Sequence, residues 1–144
     1  LCESLAPEQF VTLFVGELDH ATGRMRYFNA GHEPPRILRA GGETIDELAS
    51  TGRPIALLPF GEFGVDECTL DPGDTLAVFS DGIPEATLSG DEFFGLEAVD
   101  RALRDHRADE ITAVRSTILD EIEKYLGGEH ASDDITLMVL RRAS

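Results

Sequence analysis

The chain is poor in basic residues and lacks any long apolar run. Its 144 residues include 12 lysines and arginines against 28 aspartates and glutamates, which gives a formal net charge of −16. Because nucleic acids and anionic membrane surfaces attract clustered positive charge, this balance argues against both as partners. No stretch approaches the roughly 20 apolar residues that a membrane-spanning helix needs. The acid excess is typical of a solvated surface that can also attract divalent cations.

Cysteine is scarce as well. Cys2 and Cys68 lie far apart and form neither a metal-binding nor a redox spacing. Two reduced thiols are typical of a cytoplasmic protein, and we expect that location. The sequence also has no internal repeat or low-complexity tract. Its length and its 42% hydrophobic content indicate a single globular domain.

Short apolar runs separated by turn residues dominate the first 80 residues. Polar turns that contain glycine, such as Asp71-Pro72-Gly73-Asp74, separate the runs and predict β-hairpins. The paired segments of the three predicted hairpins are 10–18 with 25–29, 36–39 with 44–48, and 63–70 with 75–80.

The period of the apolar residues changes after residue 95, where two stretches show helical spacing. Their apolar positions are Leu96, Val99 and Leu103 in the first stretch, and Ile111, Val114, Ile118, Ile122 and Tyr125 in the second. Gly127-Gly128 predicts the end of the second helix, and segment 135–140 predicts a closing strand. Antiparallel strands followed by two clustered helices predict an α+β fold.

Two acidic loops border the most apolar strands. Asp81 follows the run 75–79, and Asp133 precedes the run 135–140. If these strands pair antiparallel, the end of the first lies beside the start of the second, and the two carboxylates converge. Converging carboxylates repel unless a cation neutralises them, and oxygen ligands suit hard ions such as Mg²⁺ or Mn²⁺. The sequence therefore predicts metal-assisted chemistry on an anionic substrate.

Six short segments follow one another along the chain in an order that allows a comparison with known families. They are Phe10-Val11-Thr12-Leu13-Phe14, Asn29-Ala30-Gly31-His32-Glu33-Pro34-Pro35, Gly52-Arg53-Pro54-Ile55-Ala56-Leu57-Leu58, Leu70-Asp71-Pro72-Gly73-Asp74, Ser80-Asp81-Gly82 and Asp133-Asp134-Ile135-Thr136. An isolated Asp-Gly is also a common turn signal, so the ordered set carries the identification. In this order the segments resemble the sporulation stage II protein E-like branch of the metal-dependent type 2C serine/threonine protein phosphatases. The resemblance covers essentially the whole chain.

The resemblance implies an antiparallel β-sandwich flanked by helices. It also implies that Asp81 and Asp133 are metal ligands in an intact domain that holds two Mn²⁺ or Mg²⁺ ions, with Asp134 as the alternative to Asp133. Family members begin with two further acidic motifs that supply the remaining ligands, and neither is present here. We therefore expect residues 1–144 to form one phosphatase-like domain truncated at its N-terminus, with little activity of its own.

The implied function is hydrolysis of phosphoserine or phosphothreonine on a bacterial regulatory protein by a metal-activated water. Typical substrates in this family are phosphorylated antagonists of anti-sigma factors, which places it in sigma factor regulation. Two alternatives stay open: a noncatalytic phosphatase-like module that binds a partner protein, and an unrelated hydrolase that uses both carboxylates around a metal. Apolar sheet surface left uncovered by the truncation also predicts a homodimer or self-association.

The other polar candidates have structural interpretations. Ser80 has no base at triad spacing, so we predict no nucleophilic role for it. For His32 we favour a glycine-supported turn, with the ring hydrogen-bonded to backbone, over an acid–base role. His130 is close enough in sequence to Asp133 to touch the site. The remaining candidates are assigned to the surface or to a loop: His20, His106 and Glu85.

Overall fold

A computed structural model describes residues 10–55, 64–87, 92–128 and 133–143 of the chain. The strands in these ranges are β1 Leu13–Leu18, β2 Arg24–Ala30, β3 Arg36–Leu38, β4 Ile45–Glu47, β5 Asp66–Thr69, β6 Thr75–Phe79 and β7 Leu137–Arg141. The helices, α1 Leu96–Asp105 and α2 Ile111–Leu126, lie between β6 and β7 in the chain. Within the described part of the chain, neither helix is long and apolar enough to cross a membrane.

The strands form two antiparallel sheets. One sheet has the order β1-β2-β5, and the other has the order β4-β3-β6-β7. The first two predicted hairpins are confirmed, because β1 pairs with β2 and β3 pairs with β4. Both helices also lie where the apolar spacing predicts them, and α2 ends at Gly127 in the left-handed conformation. The predicted α+β fold with an antiparallel β-sandwich is therefore confirmed.

The third predicted hairpin is wrong. β5 pairs with β2, whereas β6 pairs with β3 and β7, so the two segments belong to different sheets. The turn between them does form, since the amide of Asp74 donates to the carbonyl of Asp71. The Asp74 carboxylate is buried and accepts hydrogen bonds from the guanidinium of Arg39 and the amide of Ala40, which follow β3. These bonds hold the turn against the second sheet, so it carries the chain from one sheet to the other.

The core has two layers, and β6 separates them. Successive side chains of a strand point to opposite faces of the sheet. When both faces are buried, as for β6, apolar residues therefore occupy successive positions of the strand. Leu76 on β6 packs with Met25 of the other sheet, whereas Ala77 and Phe79 pack against the helices. The helix side of this core is formed by the apolar faces of α1 and α2, including Val99, Leu103, Val114, Ile118 and Ile122. The end of β6 is thereby fixed from both sides.

Candidate metal centre

The pairing of β6 with β7 brings the two acidic loops to one end of the second sheet. Phe79 lies opposite Leu137, and the amide of Ser80 donates a 3.0 Å hydrogen bond to the carbonyl of Thr136. The end of β6 therefore lies beside the start of β7, as the sequence predicts. Asp81 follows the first strand and Asp133 precedes the second, and both residues are exposed.

The hydroxyl of Ser80 joins these loops. It donates a 2.9 Å hydrogen bond to the carbonyl of Asp134 and accepts a 2.9 Å hydrogen bond from the amide of Thr136. The hydroxyl thus donates one hydrogen bond and accepts another inside the fold, so Ser80 links the two loops. The Asp133 carboxylate accepts a 2.7 Å hydrogen bond from the amide of Asp134, a local contact that orients it beside its own backbone.

Gly82 allows the two loops to approach closely. A Cβ atom at this position would lie 2.6 Å from the carbonyl oxygen of Asp134 and 3.4 Å from that of Asp133. Any larger residue would push the loops apart, so glycine is the residue that this approach requires. The structure therefore places Asp81 and Asp133 on adjoining loops whose backbones are in contact.

A third loop, residues 31–35, lies before β3 and is built around a tight turn. Gly31 has a φ of 67°, and a side chain there would collide with the ring of Pro54. The amide of His32 donates a 2.8 Å hydrogen bond to Oδ1 of Asn29, and its Nδ1 is hydrogen-bonded to the carbonyl of Glu33 at 2.8 Å. The structural interpretation of His32 is therefore confirmed.

Glu33 in this loop belongs to the ordered segment 29–35, but the sequence analysis does not consider it as a site residue. Burial raises the pKa of its carboxyl, the charge of Arg36 opposes that rise, and the charges of Asp81, Glu47 and Glu85 add to it. Glu33 thus lies in the electrostatic field of Asp81. The antiparallel pairing of β3 with β6 brings them together, because it places the start of β3 beside the end of β6.

Of the other candidates, only Glu85 lies in one of these loops. Glu85 is an exposed loop acid, and its amide donates to the carbonyl of Asp81. His20 is exposed, and His106 contacts Asp109 at the end of α1, 2.8 Å away. Cys68 is a half-buried free thiol, as expected. The residues named in the sequence analysis that lie outside the described ranges are Cys2, Ala56, Leu57, Leu58 and His130, and the first residue of the predicted strand 63–70 lies there as well.

The carboxylate oxygens of Asp81 and Asp133 are suitable ligands for a hard divalent cation, but two carboxylates are too few to complete its coordination. Asp81 and Asp133 offer exposed carboxylate oxygens, which are the ligands that Mg²⁺ and Mn²⁺ prefer. Within the described ranges, however, no group of three or more histidines, cysteines, aspartates or glutamates is placed to hold a metal ion. The described residues therefore offer part of a cation site, and further ligands would have to complete it.

Comparison with known proteins identifies the family. The family model described as stage II sporulation protein E (SpoIIE) matches residues 1–143. Protein IcfG of Synechocystis sp. is 34% identical over 133 residues, which cover 92% of this chain and 21% of that protein. Phosphoserine phosphatase RsbP of Bacillus subtilis is 29% identical over 125 residues, which cover 87% of this chain and 29% of that protein.

A solved structure agrees with the fold. The SiaA-PP2C domain of Pseudomonas aeruginosa aligns with a TM-score of 0.77 at 23% identity, covering 90% of this chain and 51% of that one. The chain thus spans less than a third of these two curated relatives and about half of this structural neighbour. From the match along nearly its whole length, the chain belongs to the stage II sporulation protein E (SpoIIE) family, and its fold is similar to that of a type 2C phosphatase domain.

Proposed function

We propose that this chain is part of a metal-dependent serine/threonine protein phosphatase in which Asp81 and Asp133 hold divalent cations, Mn²⁺ or Mg²⁺. The observation that carries the proposal is the contact between the two acidic loops, which the Ser80 hydroxyl ties together. Membership of the SpoIIE family supports the reaction class, and the relative RsbP is named a phosphoserine phosphatase.

The residues of the chain have separate tasks in this proposal. Asp81 and Asp133 provide the negative charge that holds the cations, while Ser80 and Gly82 keep the two loops at a fixed separation. When bound, such ions lower the pKa of a coordinated water and offset negative charge on a phosphoryl group. Because oriented ligands need no rearrangement during the reaction, the rigidity of the two loops favours turnover.

We infer that the substrate is a phosphoserine or phosphothreonine on a bacterial regulatory protein, with an anti-sigma factor antagonist as the candidate. Both aspartates are exposed, so a phosphorylated side chain on a folded partner can reach them. The net charge of −16 repels an acidic partner at long range, which makes the cations the main source of attraction for a phosphate.

The test is hydrolysis of a phosphoserine peptide by the full-length protein in the presence of Mn²⁺. Asp81→Asn and Asp133→Asn remove ligand charge at nearly constant volume. We expect each to lower kcat/KM by about a hundredfold or more, since a metal contributes several kcal/mol to the transition state. Asp120→Asn, an exposed acid on α2, is the matched control and should stay within about twofold of wild type. Undiminished activity in both site variants would reject the assigned roles.

A noncatalytic phosphatase-like module is the second candidate. The observation that favours it is that the described residues place fewer than three metal-ligating side chains together. The same assay separates the two functions. A full-length protein that binds the phosphopeptide in Mn²⁺ without hydrolysing it is a binding module, whereas turnover that depends on Asp81 establishes an enzyme.

A further inference from the structure

Arg36 is a buried cation between acids of two different elements. It is the first residue of β3, and its side chain is only 9% exposed. Its Nη1 donates a 2.6 Å hydrogen bond to Oε2 of Glu47 on β4. Its Nε lies 3.6 Å from Oδ1 of Asp100 on α1, which is too far for a hydrogen bond. Both of these atoms are buried without a hydrogen-bond partner in the described part of the chain.

The charge of Asp100 carries a desolvation cost in this pair. Burial raises the pKa of the Asp100 carboxyl even though Arg36 and Arg104 lower it. Ionised Asp100 is therefore less favourable in the folded chain than in water. A buried ion pair can often be replaced by apolar residues without loss of stability. Its attested use is to fix how one element sits against another, here α1 against the sheet.

The position of α1 is in turn linked to the loop that carries Asp81. The helix begins after Gly95, whose amide donates a 2.9 Å hydrogen bond to the carbonyl of Pro84. The preceding amide, of Phe94, donates a 2.8 Å hydrogen bond to the carbonyl of Ala86. A displacement of α1 across the sheet is therefore transmitted through backbone hydrogen bonds to the segment that follows Asp81.

Arg36 also lies at the end of β3 that is nearer to the loop of Asp81. Its charge acts on Glu33, the acid that lies in the field of Asp81. β3 runs antiparallel to β6, with Arg36 opposite Ala77, so the start of β3 lies near the end of β6.

We propose that Arg36 is a positioning residue for the candidate metal centre, because it fixes α1 on the sheet through Asp100 and so fixes the loop that carries Asp81. This inference rests on the proposed function. Loss of Arg36 loosens the site without removing a ligand. Residues that hold metal ligands in place typically change metal affinity about 10- to 100-fold when they are replaced.

The test measures the Mn²⁺ concentration that gives half-maximal phosphatase activity of the full-length protein. Arg36→Gln removes the charge and should raise this concentration about tenfold or more, with a much smaller change in kcat at saturating Mn²⁺. Arg36→Lys keeps the charge and should recover part of the loss. If Arg36→Gln does not fold, Asp100→Asn carries the same test, since it breaks the pair and leaves the arginine in place.

Arg39→Gln is the matched control. Arg39 follows β3 at its opposite end and pairs with Asp46 and with buried Asp74. Its loss should lower the free energy of unfolding and leave the half-saturating Mn²⁺ concentration unchanged. Equal shifts in the two arginine variants, or no shift in Arg36→Gln, would overturn the proposal.

Hydrogen exchange gives a readout that does not depend on activity. The amides of Phe94 and Gly95 should exchange faster in Arg36→Gln than in wild type, and at the wild-type rate in Arg39→Gln. A wild-type protein without Mn²⁺-dependent turnover contradicts the proposed function, and the exchange rates then decide the positioning role separately. Wild-type hydrogen-exchange rates at the amides of Phe94 and Gly95 in Arg36→Gln would overturn the positioning role of Arg36.

Discussion

A side chain at Gly82 would collide with the backbone of Asp134, because a Cβ atom there would lie 2.6 Å from the Asp134 carbonyl oxygen. The loop after β6 and the loop before β7 are therefore in direct backbone contact. This contact, more than any spacing in the sequence, brings Asp81 and Asp133 into one region of the molecule.

Gly82→Ala should destabilise the protein. The added methyl group meets backbone, which cannot rotate away, so we expect a loss of about 1–3 kcal/mol in the free energy of unfolding, as for other overpacked sites. Urea denaturation measures this change. Gly41→Ala is the control, since nothing lies within 4 Å of a Cβ at that position. The control should be neutral or stabilised by less than about 1 kcal/mol. Equal destabilisation of the two variants would show that the close approach at Gly82 is unimportant.

Ser80→Ala should weaken the protein without abolishing turnover. The change removes both hydrogen bonds of the hydroxyl and leaves the amide of Thr136 unpaired, so we expect a loss of about 1–3 kcal/mol in stability. Ser116→Ala, which removes a single hydrogen bond on an exposed helix face, should lose less. Phosphatase activity of the full-length protein distinguishes a link from a nucleophile. Complete loss of activity in a stably folded Ser80→Ala would contradict the structural role.

Short-range signals in the sequence predicted most of the helices and strands, but they did not predict which strands belong to which sheet. Both helices and the first two hairpins follow from apolar periodicity and turn residues, which are short-range properties. The third hairpin failed because Asp71-Pro72-Gly73-Asp74 has the composition of a hairpin turn whichever sheet its flanking strands join. The choice depends on Asp74, which is held by Arg39 more than 30 residues away. No pattern within a short window contains that contact.

In the candidate site, too, short-range sequence signals predict some residues, whereas others depend on contacts between distant parts of the chain. Asp81 and Asp133 were found because each lies beside an apolar strand in a recognisable motif. Glu33 and Arg36 were missed because their relation to Asp81 exists only after β3 has paired with β6. The roles of Asp81 and Asp133 as metal ligands stay predictions, since they concern a bound ion.

The stability of the protein should fall in alkaline solution through Tyr27. Burial and the charge of Asp66 raise the pKa of Tyr27 from 10.0 to about 12. The phenol of Tyr27 therefore loses its proton at lower pH in the unfolded chain than in the folded one. Its contribution to the free energy of unfolding is complete below pH 10 and is lost as the pH rises towards 12. The free energy of unfolding of wild type relative to Tyr27→Phe should fall over this range in urea titrations. A difference that is independent of pH would contradict this assignment.

Residues 1–144 studied alone should self-associate through the groove between the sheets. The groove is lined by apolar side chains from both sheets, including Phe14, Leu76 and Met138. Met138 is 50% exposed, so a second copy of the chain could cover it. Met138→Lys should lower the mass found by light scattering at high concentration. Val65→Lys, at another exposed apolar residue outside the groove, should not lower this mass. A wild-type chain that stays monomeric would reject the prediction.

The central claim is that Asp81 and Asp133 are cation ligands, and calorimetric titration of Mn²⁺ into the full-length protein tests it most directly. Asp81→Asn and Asp133→Asn should each weaken Mn²⁺ binding by more than about a hundredfold, beyond the effect of residues that only support ligands. Asp134→Asn and the exposed control Asp120→Asn should leave it nearly unchanged, which also decides between the two adjacent acids. Wild-type Mn²⁺ affinity in both Asp81→Asn and Asp133→Asn would contradict the claim.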